Sequence, residues 1–301
     1  MARARIVINR DSGGASDPDA LLRHAVRAMR TAGWSVDGEA VGGSEIVGAL
    51  QRAGADRPDR IIVGGGDGTI RTAAQESMRC GAALGIMTLG TMNLLSKDLG
   101  LPLDPMEAAE AMASAVERAI DVGDVNGAIF LHSALIGVFP RIGVERERAR
   151  REGGLRGYAG AAAGAAGVVW RAPSVGVELS VDGRPIRLRT FAVVVSNNRL
   201  RGDPSEPYRR IRLDEGALGL YVARHTGRLG LYRLLMSIGL GRWKFDTDID
   251  EHGAREVVVR TRRSLDVSCD GEIERMGPAL RFGVRERALR ALVPGDGAWR
   301  S

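Results

Sequence analysis

Arg60-Ile61-Ile62-Val63-Gly64-Gly65-Gly66-Asp67-Gly68-Thr69 is the stretch on which the reading of the fold turns. Its first four residues read as a buried strand stopped by the glycines, and Thr69–Cys80 reads as the helix that follows. Consecutive glycines let a backbone approach a ligand closely and adopt positive φ. The helix then offers unpaired N–H groups and a positive dipole end to a phosphate. Asp67 is suited to hold a cation, a water or a hydroxyl, and Thr69 to cap the helix or bond a phosphate oxygen. A plain strand-to-helix turn is the other reading; three glycines with Asp and Thr in this setting favour phosphate. Neither the GxxxxGK[ST] loop nor the protein-kinase motif set occurs in the chain.

Outward from this point, strand and helix alternate. On the N-terminal side lie a strand at Arg5–Asn9 and a polar turn at Asn9–Gly14. A helix at Asp19–Ala32 follows, with Leu22, Val26 and Met29 on its apolar face, then a strand at Trp34–Ala40. The next helix, Ser44–Ala53, has Ile46, Val47 and Leu50 on one face. On the C-terminal side come a strand at Leu84–Met87, the loop Leu89-Gly90-Thr91-Met92-Asn93, and helices at Asn93–Leu99 and Pro105–Ala119. This order predicts a mostly parallel sheet with helices on its faces. Loops at the carboxyl ends of neighbouring parallel strands line one crevice, so Asn9–Gly14, Gly64–Thr69 and Gly90–Asn93 are expected to converge. Thr91 and Asn93 also suit helix capping.

After about Asp121 the pattern changes to strand-like runs: Ala128–Leu135, Val175–Val181, Ile186–Val195, Leu218–Val222, Glu256–Thr261, Leu265–Ser268, Leu280–Val284 and Leu289–Val293. Asp182-Gly183 reads as a hairpin turn, and helical segments are expected at about Val144–Trp170 and Leu229–Trp243. The second half therefore reads as an antiparallel sheet or sandwich.

The 301 residues allow one large or two ordinary domains. Cys80 and Cys269 are the only cysteines, which excludes a disulfide framework and a CxxC metal site. His24, His132, His225 and His252 are scattered, away from metal-ligand spacing. The N-terminus has no long apolar signal core, and the most apolar stretch, Tyr158–Trp170, is shorter than the roughly 20 residues that span a bilayer. A cytoplasmic protein is expected. Lys97 and Lys244 are the only lysines among 43 basic residues, so the net charge of +6 is carried by arginine. That suits phosphate, nucleic acid or anionic lipid; a genomic bias towards Arg gives the same count.

Taken together, Gly64–Thr69 and Leu89–Pro102 resemble the diacylglycerol kinase catalytic-domain family, which includes bacterial lipid kinases and sphingosine kinases. Asn197-Asn198 followed by Gly202 resembles that family's Asn…Gly segment. Leu213–Val222 resembles its Asp-Asp-Gly segment, and Asp270-Gly271-Glu272 its Asp-Gly-Glu motif. The resemblance implies an α/β plus β-rich architecture: a Rossmann-like, parallel-sheet nucleotide domain over 1–122 and an antiparallel β-sandwich lipid-substrate domain over 123–287. The tail from about 288 to 301 packs back on the first domain, and the active site lies in the interdomain cleft. It implies ATP-dependent phosphorylation of a lipid hydroxyl with Mg²⁺.

Carried over by the resemblance, Asn9, Ser12 and Gly13 form the first nucleotide loop. Gly65, Gly66, Asp67, Gly68 and Thr69 cradle phosphates beside Thr91 and Asn93. Glu272 is the proton acceptor with Asp270 nearby, the reverse roles of Glu272 and Asp67 staying open. Glu215, with the backbone carbonyls of Arg212 and Ala217, resembles a structural magnesium site. Three departures stand out: Arg10 where the family often has Pro, Thr88 where Pro commonly precedes Leu-Gly-Thr, and Glu215 for the second Asp. On its own, Asp270-Gly271 is also a common turn pair.

Two features bear on substrate access. Leu231, Leu234, Leu235 and Ile238 recur at helical spacing between Arg228, Arg233 and Arg242, which suits transient docking on an anionic membrane or packing on a sheet. Glu145–Arg151 is a charge run suited to a solvated helix face. The expected partners are a lipid substrate and an anionic bilayer, with no nucleic-acid module; a homodimer is compatible with the sequence. An NAD kinase-like enzyme, which shares the Gly-Gly-Asp-Gly-Thr loop, and a non-catalytic nucleotide-binding regulator are the alternative readings.

Overall fold

A computed structural model describes residues 2–144, 164, 167–168, 170–172, 174–224, 227–243 and 248–295. The chain forms two compact units. The first holds residues up to Val122, Arg212–Asp214 and the described residues from Arg285 onwards; the second holds Gly123–Ile211 and Glu215–Val284. The run Glu145–Arg151 and most of Tyr158–Trp170 lie outside the described residues.

The first unit alternates strand and helix: β1 (Arg3–Asn9), α1 (Pro18–Thr31), β2 (Ser35–Val41), α2 (Ile46–Ala55), β3 (Arg60–Gly65), α3 (Asp67–Cys80), β4 (Ala83–Thr88), α4 (Leu94–Asp98) and α5 (Pro105–Ser114). The strands lie parallel in the order β2-β1-β3-β4, and the final strand of the chain joins β4 in parallel through Ala291 and Leu84. Helices on both faces explain the unbroken apolar runs: Ile6, Val7, Ile8, Ile61, Ile62, Val63, Leu84 and Ile86 are all buried. The chain steps from β1 outward to β2 and then back across to β3. The switch point therefore falls between β1 and β3, where the carboxyl ends of a doubly wound sheet open a crevice.

Local chemistry sets several boundaries. Asp17 and Asp104 cap α1 and α5 by accepting first-turn N–H groups, each with Pro next in line. Other boundaries depart from expectation. The buried face of α1 is Leu21, Ala25 and Met29; Met29 is as expected, whereas Leu22 and Val26 are half-buried and their places in the core go to Leu21 and Ala25. Small Ala25 lets that face approach the sheet. Val47 is exposed, and Ala49 and Ala53 take its place in the core. The strand β3 continues through Gly64 and Gly65 instead of stopping at them. The helix predicted to reach Ala119 ends at Ser114, and Val116–Val125 is a strand (β5). Buried Arg60 donates to the carbonyls of Met112 (3.1 Å) and Ala115 (2.9 Å), closing the helix from a distant strand.

Strand β5 carries the chain into the second unit. There follow β6 (Ala128–Phe130), β7 (Ser133–Gly137), a helix α6 over 138–144, β8 (Val175–Val181), β9 (Arg184–Thr190), β10 (Ala192–Asn197), β11 (Leu218–Ala223) and α7 (Arg228–Gly239). Then come β12 (Ile249–Ala254), β13 (Glu256–Arg260), β14 (Leu265–Cys269), β15 (Glu272–Met276) and β16 (Ala279–Val293), the last returning to the first unit. One sheet, β12-β11-β10-β7-β14-β15, is antiparallel throughout. In the other, β9, β8, β13 and the start of β16 pair antiparallel. Alternate residues of both sheets share one core, including Ile136, Val193, Leu220 and Val267 with Leu179, Val257 and Phe282. This is a β-sandwich. Asp182 and Gly183 both have positive φ (47° and 82°) and form the expected two-residue hairpin.

The long runs expected at Ala128–Leu135 and Ile186–Val195 each break in two, at Leu131–His132 and at Phe191, whereas Leu280–Val284 and Leu289–Val293 belong to one strand. Strands β12 and β15 carry little apolar signal because they are the edges of their sheet, where charged residues deter further pairing. In α7, Leu231 and Leu234 are fully buried and pack with Val138, Phe191 and Ala223, joined by Leu235 and Ile238. The leucine face is thus a core face and is not available to a membrane. Among the described residues no helix is long and apolar enough to cross a membrane.

Candidate active site

At the β1/β3 switch point three loops of the first unit meet. Asn9 donates from Nδ2 to the Thr69 hydroxyl (3.0 Å), while its Oδ1 accepts the Asp11 N–H (3.0 Å). Gly14 N–H donates to the Leu89 carbonyl (3.1 Å), and Leu89 N–H to that of Gly65 (3.2 Å). The approach is too close for side chains. A Cβ on Gly14 would stand 2.7 Å from Leu89 Cα, one on Gly90 2.9 Å from Gly66 Cα, and one on Gly65 2.5 Å from Thr69 Cβ. The convergence expected from strand order is therefore a backbone-to-backbone fit.

Helix α3 opens at this junction. Its first turn is Asp67-Gly68-Thr69, and Gly66 at the cap supplies no side chain. The first bond within the helix runs from Ile70 N–H to the Gly66 carbonyl (2.9 Å), so the N–H groups of residues 67–69 have no acceptor inside the helix. The dipole adds partial positive charge there. Asn93, at positive φ (49°), occupies the cap position of α4 without capping it. Its side-chain oxygen is buried and has no hydrogen-bond partner, facing the position a Gly90 Cβ would take, 2.8 Å away. Leaving such a group bare costs about 1–3 kcal/mol, which marks a place where a donor belongs. These residues fit a nucleotide's phosphates: a glycine-lined turn, N–H groups without an acceptor inside the helix, and a polar rim.

The remaining loop residues are placed as follows. Ser12 is half-buried, with its N–H on the Asn9 carbonyl (3.2 Å), and Thr91 is exposed. Gly13 has open space around it; the constrained glycines are Gly65, an expected phosphate contact, and Gly14 and Gly90, which were expected only as members of the converging loops. Missed was the turn after β2, where Gly43 N–H donates to the Asp11 carboxylate (2.7 Å). Its signal was available, since a loop after a parallel strand ends on the same side. Arg10 grips Asp19 with two hydrogen bonds (both 2.7 Å) and the Ala40 carbonyl (2.9 Å). That grip holds the Asp19 carboxyl below the usual carboxylate range. The Thr88 hydroxyl reaches the carbonyls of Pro102 (3.2 Å) and Leu103 (2.9 Å). Both departures from the family pattern thus fasten the rim of the loops.

In the second unit, Asp270 and Gly271 (φ 50° and 95°) form the β14–β15 turn, closed by the Cys269–Glu272 pair. The Asp270 carboxylate accepts the N–H groups of Leu131 (2.6 Å), His132 (2.9 Å) and Ser133 (3.0 Å). Its oxygens are committed to holding this turn. Arg210 and Asn197 hold the β6–β7 link that faces this turn, through the Leu131 carbonyl (2.6 and 3.0 Å). Glu272, next to Gly271, is exposed, and its side chain has no hydrogen-bond or ionic partner among the described residues.

The residues expected to form a magnesium site do not fit one. Glu215 is ion-paired with Arg199, whose backbone N–H also donates to it (3.2 Å). The Ala217 carbonyl accepts from Asn198 (3.3 Å); at Arg212, where the backbone carbonyl was the expected ligand, the guanidinium pairs with Asp214 (3.0 Å). Among the described residues no three His, Cys, Asp or Glu side chains gather as metal ligands.

Comparison with known proteins agrees with this architecture. The family described as diacylglycerol kinase catalytic domain matches residues 3–125, and the YegS C-terminal NAD kinase beta sandwich-like domain matches 143–293. A Pseudomonas fluorescens protein named "probable lipid kinase YegS-like" is 31% identical over 286 residues, covering 91% of each chain. A Pseudomonas savastanoi protein of the same name is 30% identical, over 91% of this chain and 89% of the other. Among solved structures, a diacylglycerol kinase from Bacillus anthracis aligns with TM-score 0.70 at 18% identity, covering 98% of both chains. A second protein of that organism reaches TM-score 0.76 at 21% identity with the same coverage. The chain belongs to the YegS-like lipid kinase family, built on a diacylglycerol kinase catalytic domain.

Proposed function

We propose that this protein uses Mg-ATP to phosphorylate the hydroxyl of a lipid, diacylglycerol or a close relative. The observation that carries the reading is the open first turn of α3, faced by the unpartnered Asn93 oxygen and walled by glycines that admit no side chain. Phosphoryl transfer depends on positioning and charge neutralisation, which such a turn provides. In this reading the N–H groups of residues 67–69 receive phosphate oxygens and the Thr69 hydroxyl orients them. Asp67 holds the magnesium that accompanies the nucleotide. Glu272 takes the proton from the lipid hydroxyl, and a side chain without a partner among the described residues leaves its lone pairs available for that. Asp270 positions Glu272 by fixing the turn that carries it.

A lipid substrate resides in a bilayer, and a face of α7 supports contact with one. Leu229, Met236 and Leu240 are 84%, 65% and 64% exposed and fall on one line of the helix, opposite its buried leucines. Arg228 and Arg242 lie at its two ends. An anionic surface is the partner this combination suits.

One experiment tests both parts. The purified protein is given Mg-ATP with diacylglycerol, phosphatidylglycerol, sphingosine or ceramide in anionic or neutral vesicles, and with NAD in solution. A phosphorylated lipid, formed faster on anionic vesicles, is expected; phosphorylation of NAD and no lipid would overturn the assignment. Glu272→Gln should lower turnover by about 10²–10⁴-fold with nucleotide binding retained. Turnover close to wild type would remove Glu272 from the chemistry.

A further inference from the structure

Two segments of the second unit are clipped together near Glu215. The segment leaving β10 turns at Asn198, which has positive φ (66°). Ser196 Oγ donates to the Asn198 carbonyl (2.5 Å), and Asn198 Nδ2 donates across to the Ala217 carbonyl (3.3 Å). Leu200 N–H donates to the Tyr221 hydroxyl (2.8 Å), whose ring meets Trp243 edge-on with centroids 5.1 Å apart. Burial pushes the Tyr221 hydroxyl above its usual pKa, so it stays protonated and can be a fixed part of the clip.

The centre of the clip is ionic. The Glu215 side chain is only 14% exposed, and burying a carboxylate is costly unless a cation compensates it. Arg199 compensates it three times over, through Nε, through the terminal guanidinium nitrogen and through its backbone N–H. The hydrogen bond to Glu215 raises the Arg199 pKa further above its already high value, so the positive charge is permanent. Space for the arginine stem is provided on β12. A Cβ on Gly253 would stand 3.4 Å from Arg199 Cδ, in ordinary contact, and anything longer would meet the stem. The guanidinium, Glu215 and Gly253 thus form a matched set.

We propose that Arg199 is a built-in cation that occupies the place of a structural divalent metal, so that this chain folds and holds its second unit without one. A dication entering here would meet a carboxylate already neutralised and a guanidinium at the same point, with Glu251 acting on the same guanidinium. The magnesium requirement of the protein is then confined to the ion that accompanies the nucleotide. That last consequence rests on the proposed kinase activity; the structural claim does not.

The test is thermal unfolding of the nucleotide-free full chain in EDTA and in millimolar Mg²⁺. Wild type should melt at the same temperature in both; a fall in EDTA that Mg²⁺ restores would overturn the proposal. Arg199→Met keeps the stem and removes the charge. It should melt on the order of 5 °C lower in EDTA and recover part of that loss in Mg²⁺, as the vacated carboxylate accepts a dication. Arg199→Lys, which retains the charge, should lose less and show no Mg²⁺ response. An unchanged melting temperature for Arg199→Met, or a loss equal to that of Arg199→Lys with no Mg²⁺ response in either, would show that charge at this position is not what holds the clip.

Discussion

Each unit presents a small cluster of backbone N–H groups, and the two clusters are finished differently. In the first unit the N–H groups of residues 67–69 open α3 with no helical acceptor and with glycine at the cap. In the second, Leu131, His132 and Ser133 aim their N–H groups at one point, and Asp270 fills it with a carboxylate. Both are anion sites built from the same peptide dipoles. The difference teaches what to ask of such a site, namely whether the chain supplies its own anion. Where it does, the carboxylate is a fastener; where it does not, a ligand is the anion to test for.

The largest expected effect comes from emptying the filled cluster. Asp270→Ala leaves three N–H groups without their acceptor and should cost about 3 kcal/mol, read as a lower denaturation midpoint. Asp270→Asn keeps the shape and one good acceptor and should recover part of that. If Asp270→Ala is as stable as wild type but inactive, Asp270 belongs to the chemistry and the contrast between the clusters fails. A smaller and more selective effect is expected from narrowing the open cluster. Gly90→Ala places a methyl against Gly66 Cα and the Asn93 oxygen, so nucleotide affinity should fall at least about tenfold for about 1–3 kcal/mol of stability. Unchanged affinity by calorimetry would mean that phosphate binds elsewhere. The smallest effect concerns the rim. The carboxyl of Asp19 is held below its usual pKa by Arg10, so the stability it adds is present above about pH 4 and is lost as pH falls through its lowered value. Asp19→Asn should slightly flatten the acid limb of stability below about pH 4. An unaltered pH profile would show that the Arg10 contact does not hold the loop.

The legible parts of this fold were those where a chemical constraint is local. The run Ile61–Val63 had to be buried on both faces. Pro105 marked a helix start, and Asp182-Gly183 needed two positive φ values in succession. The illegible parts depend on a neighbour distant in sequence. Whether the helix of residues 105–114 could run on was decided by Arg60, more than 50 residues away. The outward-facing side of α7 could not be read from spacing alone, because apolar residues lie on both faces and only packing against Val138 and Phe191 selects the buried one.

The candidate site divides along the same line. Sequence alone determined the glycine-rich turn after a buried strand, the second loop with Asn93 and the Asp-Gly-Glu turn, because a backbone that must approach phosphate or take positive φ admits few residue types. Only the tertiary structure decided that Gly14, Gly65 and Gly90, but not Gly13, are sterically constrained, that Asp270 fastens a turn, and that Glu215 already has a cation in Arg199. The reason is physical. A motif records which groups a position can offer, whereas which of those groups remain unspent is settled by the partners that folding brings to them.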